Sequence, residues 1–152
     1  MPSSTAFAAL VLIALAVAPA SAQTIGGGTN LSFGSFLAGG GGSVAVSAGG
    51  ARTQSGGVIL VGQGAGTSSA QFTVVGTANA TYSITLPPDN TVVLSDGNGN
   101  TMTVNSFVSS PPATGTLSGG GNQGVRVGAT LIVAPNQAPG TYAGSFNVTV
   151  NY

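Results

Sequence analysis

The chain has 152 residues with two basic and two acidic side chains, no histidine, no cysteine and a formal net charge of zero. Those four charges are Arg52, Asp89, Asp96 and Arg126, and neither Lys nor Glu occurs. The set excludes imidazole, thiolate and amine chemistry and a disulfide framework, and it lacks the clustered cations that nucleic acid or an acidic membrane surface requires. No catalytic residue, cofactor or metal ligand set is therefore expected, and the chain reads as a non-enzyme.

In chain order, the first element is the apolar run from Ala6 to Ala18, followed by the small residues Ala20-Ser21-Ala22. This is the pattern of an export signal cleaved before Gln23, and it is too short to predict a membrane span. The expected organisation is a signal peptide over 1–22, a short flexible segment over 23–30 that contains Gly26, Gly27 and Gly28, and one domain over 31–152. About 130 residues suffice for a domain that buries roughly two thirds of its unfolded surface.

From Leu31 onward, short β-branched and aromatic runs alternate with Gly, Pro, Asn and Ser, and no segment has helical periodicity. The runs predict strands over Leu31–Leu37, Val44–Ser47, Val58–Val61, Ala70–Val75, Thr81–Leu86, Thr91–Ser95, Thr101–Val108, Thr114–Leu117, Gly124–Val133 and Thr141–Tyr152. This is an all-β, sandwich-type pattern. The last strand is the most regular: Tyr142, Phe146, Val148, Val150 and Tyr152 fall on one face, and Thr141, Ser145, Asn147, Thr149 and Asn151 on the other. The strand before it places Val125, Val127, Ala129, Leu131 and Val133 on one face, with Arg126 and Thr130 opposite. Pro135 and Pro139 mark the turn between the two, since neither can donate to a ladder.

Three loops weigh against more specific chemistry. Gly62-Gln63-Gly64-Ala65-Gly66 lacks the Lys-Ser/Thr pair and the following helix of a phosphate loop. Asp96-Gly97-Asn98-Gly99-Asn100 spaces oxygens like a calcium loop but has Thr101 at the glycine position and Phe107 at the closing carboxylate, so it reads as a hairpin turn. Asp89, in Pro87-Pro88-Asp89-Asn90, likewise reads as a turn residue bonded locally.

Taken in order, Leu31-Ser32-Phe33-Gly34-Ser35-Phe36, Ala51-Arg52-Thr53 with Gly56-Gly57-Val58, Asn79 to Pro87, Met102-Thr103-Val104 and the closing Gly140 to Tyr152 resemble a secreted family of Gram-negative bacteria known as a domain of unknown function. The pattern is similar to archaic chaperone-usher pilin subunits and spore-coat U-like domains. That resemblance implies an incomplete immunoglobulin-like, pilin-like sandwich whose missing strand is supplied by β-augmentation. The implied partners are a periplasmic chaperone, an outer-membrane usher and other pilin-like subunits, with no nucleic acid and no integral membrane state. The implied destination is the periplasm and then the cell surface or the extracellular space. Tyr142, Phe146, Val148, Val150 and Tyr152 would form the assembly strand, and the amino-terminal donor would centre on Ile25. With three glycines and that single large apolar residue, Gln23 to Asn30 makes a poor donor. Two other readings stand beside the structural subunit: a biofilm-matrix or amyloid-like secreted protein, suggested by Gly, Ser, Asn and Gln content at zero net charge, and a carbohydrate or host-surface binding module.

Overall fold

A computed structural model describes residues 6–17, 24–62 and 66–151. Among the described residues the fold is a β-sandwich of fourteen strands. In chain order these are β1 (Ala6–Val17), β2 (Thr24–Thr29), β3 (Ser32–Leu37), β4 (Gly42–Val46), β5 (Arg52–Gly56), β6 (Ile59–Leu60) and β7 (Thr67–Ser68). They continue with β8 (Ala70–Val75), β9 (Thr81–Thr85), β10 (Val92–Ser95), β11 (Thr101–Ser110), β12 (Thr114–Thr116), β13 (Asn122–Val133) and β14 (Gly140–Asn151). Each of the ten expected strands is present, although Val58–Val61 contracts to the two residues of β6. Strands β1, β2, β5 and β7 were not anticipated as strands. The Pro135–Pro139 turn joins β13 to β14 as the sequence implies.

The two long strands organise the molecule. β13 pairs antiparallel with β11 along one edge, while its other edge takes β8 over Asn122–Val127 and β4 over Ala129–Val133. β14 shares one edge between β10, at Ala143, and β9, at Thr149–Asn151. In each strand a glycine lies next to the point where the neighbour changes. A side chain on Gly128 would meet the Val46 carbonyl oxygen at 2.1 Å and the Ser47 backbone carbon at 2.5 Å, and one on Gly144 would meet the Val93 oxygen at 2.7 Å. Exchange of partners brings the incoming backbone too close for any Cβ, so the glycine is required by the crossing.

Alternation along these strands builds the core as expected from period two. Val125, Val127, Ala129, Leu131 and Val133 are buried, as are Tyr142, Phe146, Val148 and Val150, and they meet Leu31, Phe33, Phe36, Val44, Phe72, Val74 and Leu94 between the layers. Burial of each large apolar side chain contributes roughly 1.5–3 kcal/mol. Tyr152 lies outside the described residues.

Tyr142, fully buried near the start of β14, donates its hydroxyl to the Ala138 carbonyl at 2.6 Å and accepts from Gln137 Nε2 at 3.0 Å. A tyrosine at a strand start that bonds back to the preceding corner is a recurrent device of immunoglobulin-like sandwiches. Tyr142→Phe leaves the Ala138 oxygen and the Gln137 amide without this partner while keeping the ring, and is expected to lower the free energy of unfolding by about 2 kcal/mol, read by urea denaturation.

The acidic residues serve the backbone. Asp96 caps the β10–β11 turn: its carboxylate accepts from Asn98 N at 2.7 Å, Asn100 N at 3.1 Å and Asn100 Nδ2 at 2.7 Å. The Asn100 side-chain amide, with the backbone N–H groups behind it, holds this carboxyl below its ordinary pKa. Asp89 departs from the expected local bonding, because its carboxylate accepts from Ser106 N at 2.8 Å, 17 residues away. Ser106 has a φ of +54° and sits where β11 carries an extra residue between Asn105 and Val108. A bulge leaves an amide outside the ladder, and Asp89 supplies its acceptor.

Candidate strand-accepting slot

β1 lies between β14 and β3. It runs parallel to β14 over twelve register pairs, from Ala6↔Gly140 to Val17↔Asn151, with Leu12 opposite Phe146 and Ala14 opposite Val148. Its first four residues also pair antiparallel with β3, from Ala6↔Phe36 to Ala9↔Ser32, across a bulge. The run read in the sequence as the apolar centre of an export signal is thus extended in the full chain, while the expected cleavage site Ala20-Ser21-Ala22 lies outside the described residues. Continuous hydrophobicity fits a leader and a strand between two others equally well, so composition could not distinguish the two.

Topology makes this position unusual. Among the described residues, β6 and β7 pair only with β3, and the one further sheet partner of β3 is β1. On the other side, the second edge of β14 is already occupied by β10 and β9. Without β1, β14 and β3 therefore face each other as two open edges with a strand-wide gap, each presenting unpaired N–H and C=O groups. The buried face beside the gap is that of Tyr142, Phe146, Val148 and Val150, the face that the alternation of β14 predicts to be apolar. Phe146 is also stacked at a tilt on Phe107, with ring centroids 5.0 Å apart.

The rim formed by β3 depends on two residues whose roles were not read from the sequence. Gly34, in the Phe33-Gly34 pair, has a φ of +68° and lies at the β1–β3 bulge, a conformation that side-chain-bearing residues adopt at a cost. Arg52, at the start of β5, reaches across to β3: its guanidinium donates to the Phe33 oxygen at 3.1 Å, the Ser35 oxygen at 2.9 Å and the Val61 oxygen at 2.9 Å. Partial burial lowers its pKa from the ordinary value. The forked geometry of guanidinium suits this bridging of several carbonyls. An arginine in a chain with only four charged side chains was the available signal.

The expected donor, Ile25, is not at the slot. Its backbone lies in β2, antiparallel to β8 and opposite Val74, so the segment expected to be flexible is a paired edge strand. No group of acidic, histidine or cysteine side chains among the described residues could hold a metal, and no described helix is long and apolar enough to cross a membrane. Without β1, the site would offer a row of backbone donors and acceptors above the apolar face of β14.

No curated protein matches the chain. A family model described as Domain of unknown function (DUF4402) matches residues 23–152, from the expected first residue after cleavage to the last residue of the sequence. With the match covering β2 through β14 and well over half of the chain, the chain belongs to the DUF4402 family.

Proposed function

We propose that this chain is an exported, non-enzymatic structural subunit of a bacterial surface appendage or coat, pilin-like in assembly, whose sandwich is completed by a strand inserted between β14 and β3. The observation that carries the reading is the slot itself: β3, β6 and β7 join the rest of the ladder through the strand that fills it. A family domain that begins at Gln23 supports the same view, because the strand occupying the slot in the full chain lies outside the shared region. After cleavage, the gap would be filled first by a strand from a periplasmic chaperone and then, at an outer-membrane usher, by a strand from another subunit. β-Augmentation supplies affinity through main-chain hydrogen bonds and specificity through side-chain pockets.

The expected result is that the chain, recovered after export from cells that carry its neighbouring genes, migrates in complexes that survive detergent and dissociate on boiling. Recovery solely as a soluble monomer, with the β14 amides as protected from hydrogen exchange as those of β13, would overturn the proposal.

A further inference from the structure

We infer that the chain is a one-way subunit: it accepts a strand from a different polypeptide in the β14–β3 slot and, among the described residues, has no free strand to give, so it terminates the assembly it enters. This rests on the reading of the slot above and adds the direction of assembly and the nature of the partner.

Head-to-tail growth requires each copy to present both an acceptor gap and an unpaired extension. After cleavage before Gln23, the residues preceding the sandwich are almost all in β2, and β2 is already in use. It pairs with β8 through Thr24↔Val75, Ile25↔Val74, Gly26↔Thr73 and Thr29↔Gln71, while the opposite edge of β8 is held by β13. The segment is pinned at its carboxyl end as well. Only Asn30 and Leu31 separate β2 from β3; Leu31 is fully buried, and the Asn30 carbonyl accepts from Ser68 Oγ at 2.7 Å.

One of its glycines, Gly28, has a local reason that a donor strand would not share. A Cβ on Gly28 would stand 2.1 Å from the Gln71 carbonyl oxygen and 2.9 Å from its carbon. The residue is glycine because the two backbones touch there. A donor strand needs the reverse, a succession of side chains that fill pockets beneath the gap. Giving this segment away would open the edge of β8 and deliver Ile25 as its one large apolar residue. Its place at β8 therefore closes one edge of the molecule, while the β14–β3 gap remains the edge available for joining.

The occupant is accordingly a strand of another protein, uncharged and apolar. By the pairing of Ala6–Val17, it would run parallel to β14 and contact both rims over about the length that β3 offers.

The test uses the exported chain recovered from cells that lack its neighbouring genes, so that no partner strand fills the slot beforehand. A synthetic peptide of the Ala6–Val17 sequence with a solubilising lysine tail is titrated in, and the chain alone is followed by sedimentation over a hundredfold concentration range. Saturation at one peptide per chain, with a single monomeric species throughout, supports the inference. A ladder of self-oligomers that disappears when residues 23–30 are deleted would overturn it and leave the slot intact. Failure of the peptide to bind would instead remove the slot reading, and this inference with it. A second variant guards against poor folding of the deletion: Gly28→Val is expected to reduce the urea midpoint without producing oligomers, and a ladder from that variant would equally overturn one-way assembly.

Discussion

Replacement of Arg52 by methionine is expected to lower the free energy of unfolding by about 3 kcal/mol, a large fraction of the stability of a domain this size. Methionine keeps much of the side chain's bulk and removes all three bonds to Phe33, Ser35 and Val61. The position of those bonds makes the loss severe. β5 belongs to the arm that runs through β4 to β13, whereas the three acceptors belong to β3 and the residue following β6. Arg52 therefore ties the β3 rim to the rest of the sandwich by a route that does not pass through the slot. Arg52→Lys, which has one ammonium in place of a fork, is expected to recover less than half of the loss. Urea denaturation of the three proteins gives the comparison, and a loss below about 1 kcal/mol for methionine would show that water replaces the guanidinium without penalty.

The second large effect is expected at Gly128. Gly128→Ala adds a single methyl group on an interior strand, yet should cost about 3 kcal/mol, because the nearest atoms are the backbone of Val46, Ser47 and Ala48 and cannot rotate away. Gly144→Ala should cost less, about 2 kcal/mol. One of its close neighbours is the Leu94 side chain, 3.0 Å away, which can shift. Paired thermal and urea denaturation would establish the order, and equal or reversed losses would show that the partner exchange in β13 is more pliable than its geometry implies.

Sequence patterning carried much of this fold, and its failures have physical causes. β13 and β14 were legible because one face of each is buried and the other is largely wet, so hydrophobicity alternates with the pleat. β5, Arg-Thr-Gln-Ser-Gly, was invisible because it forms an edge hairpin with β4, and four of its five residues are exposed; no face needed to be apolar. β2 escaped notice for a related reason, since a run of glycines looks like a flexible linker in composition even where one of them, Gly28, is required by close approach to β8. The buried face of β14 was read correctly at Tyr142, Phe146, Val148 and Val150, because a strand shows its buried face in its own residues. The strand beside that face could not be read in the same way. Pairing across more than a hundred residues leaves no local mark, and the exchange of neighbours at Gly128 and Gly144 is likewise a property of the crossing strands.

The placement of the few charges has a further consequence. Three of the four, Arg52, Asp89 and Asp96, are directed at carbonyl oxygens or amide groups of the chain itself, where the partner is a fixed dipole that does not titrate. Interactions of this kind are short-ranged and weakly screened, unlike attraction between separated surface ions, which fades over about 8–10 Å at physiological salt. With almost no like charges to repel and almost no ion pairs to lose, the cohesion of this protein should change little between fresh water and brine.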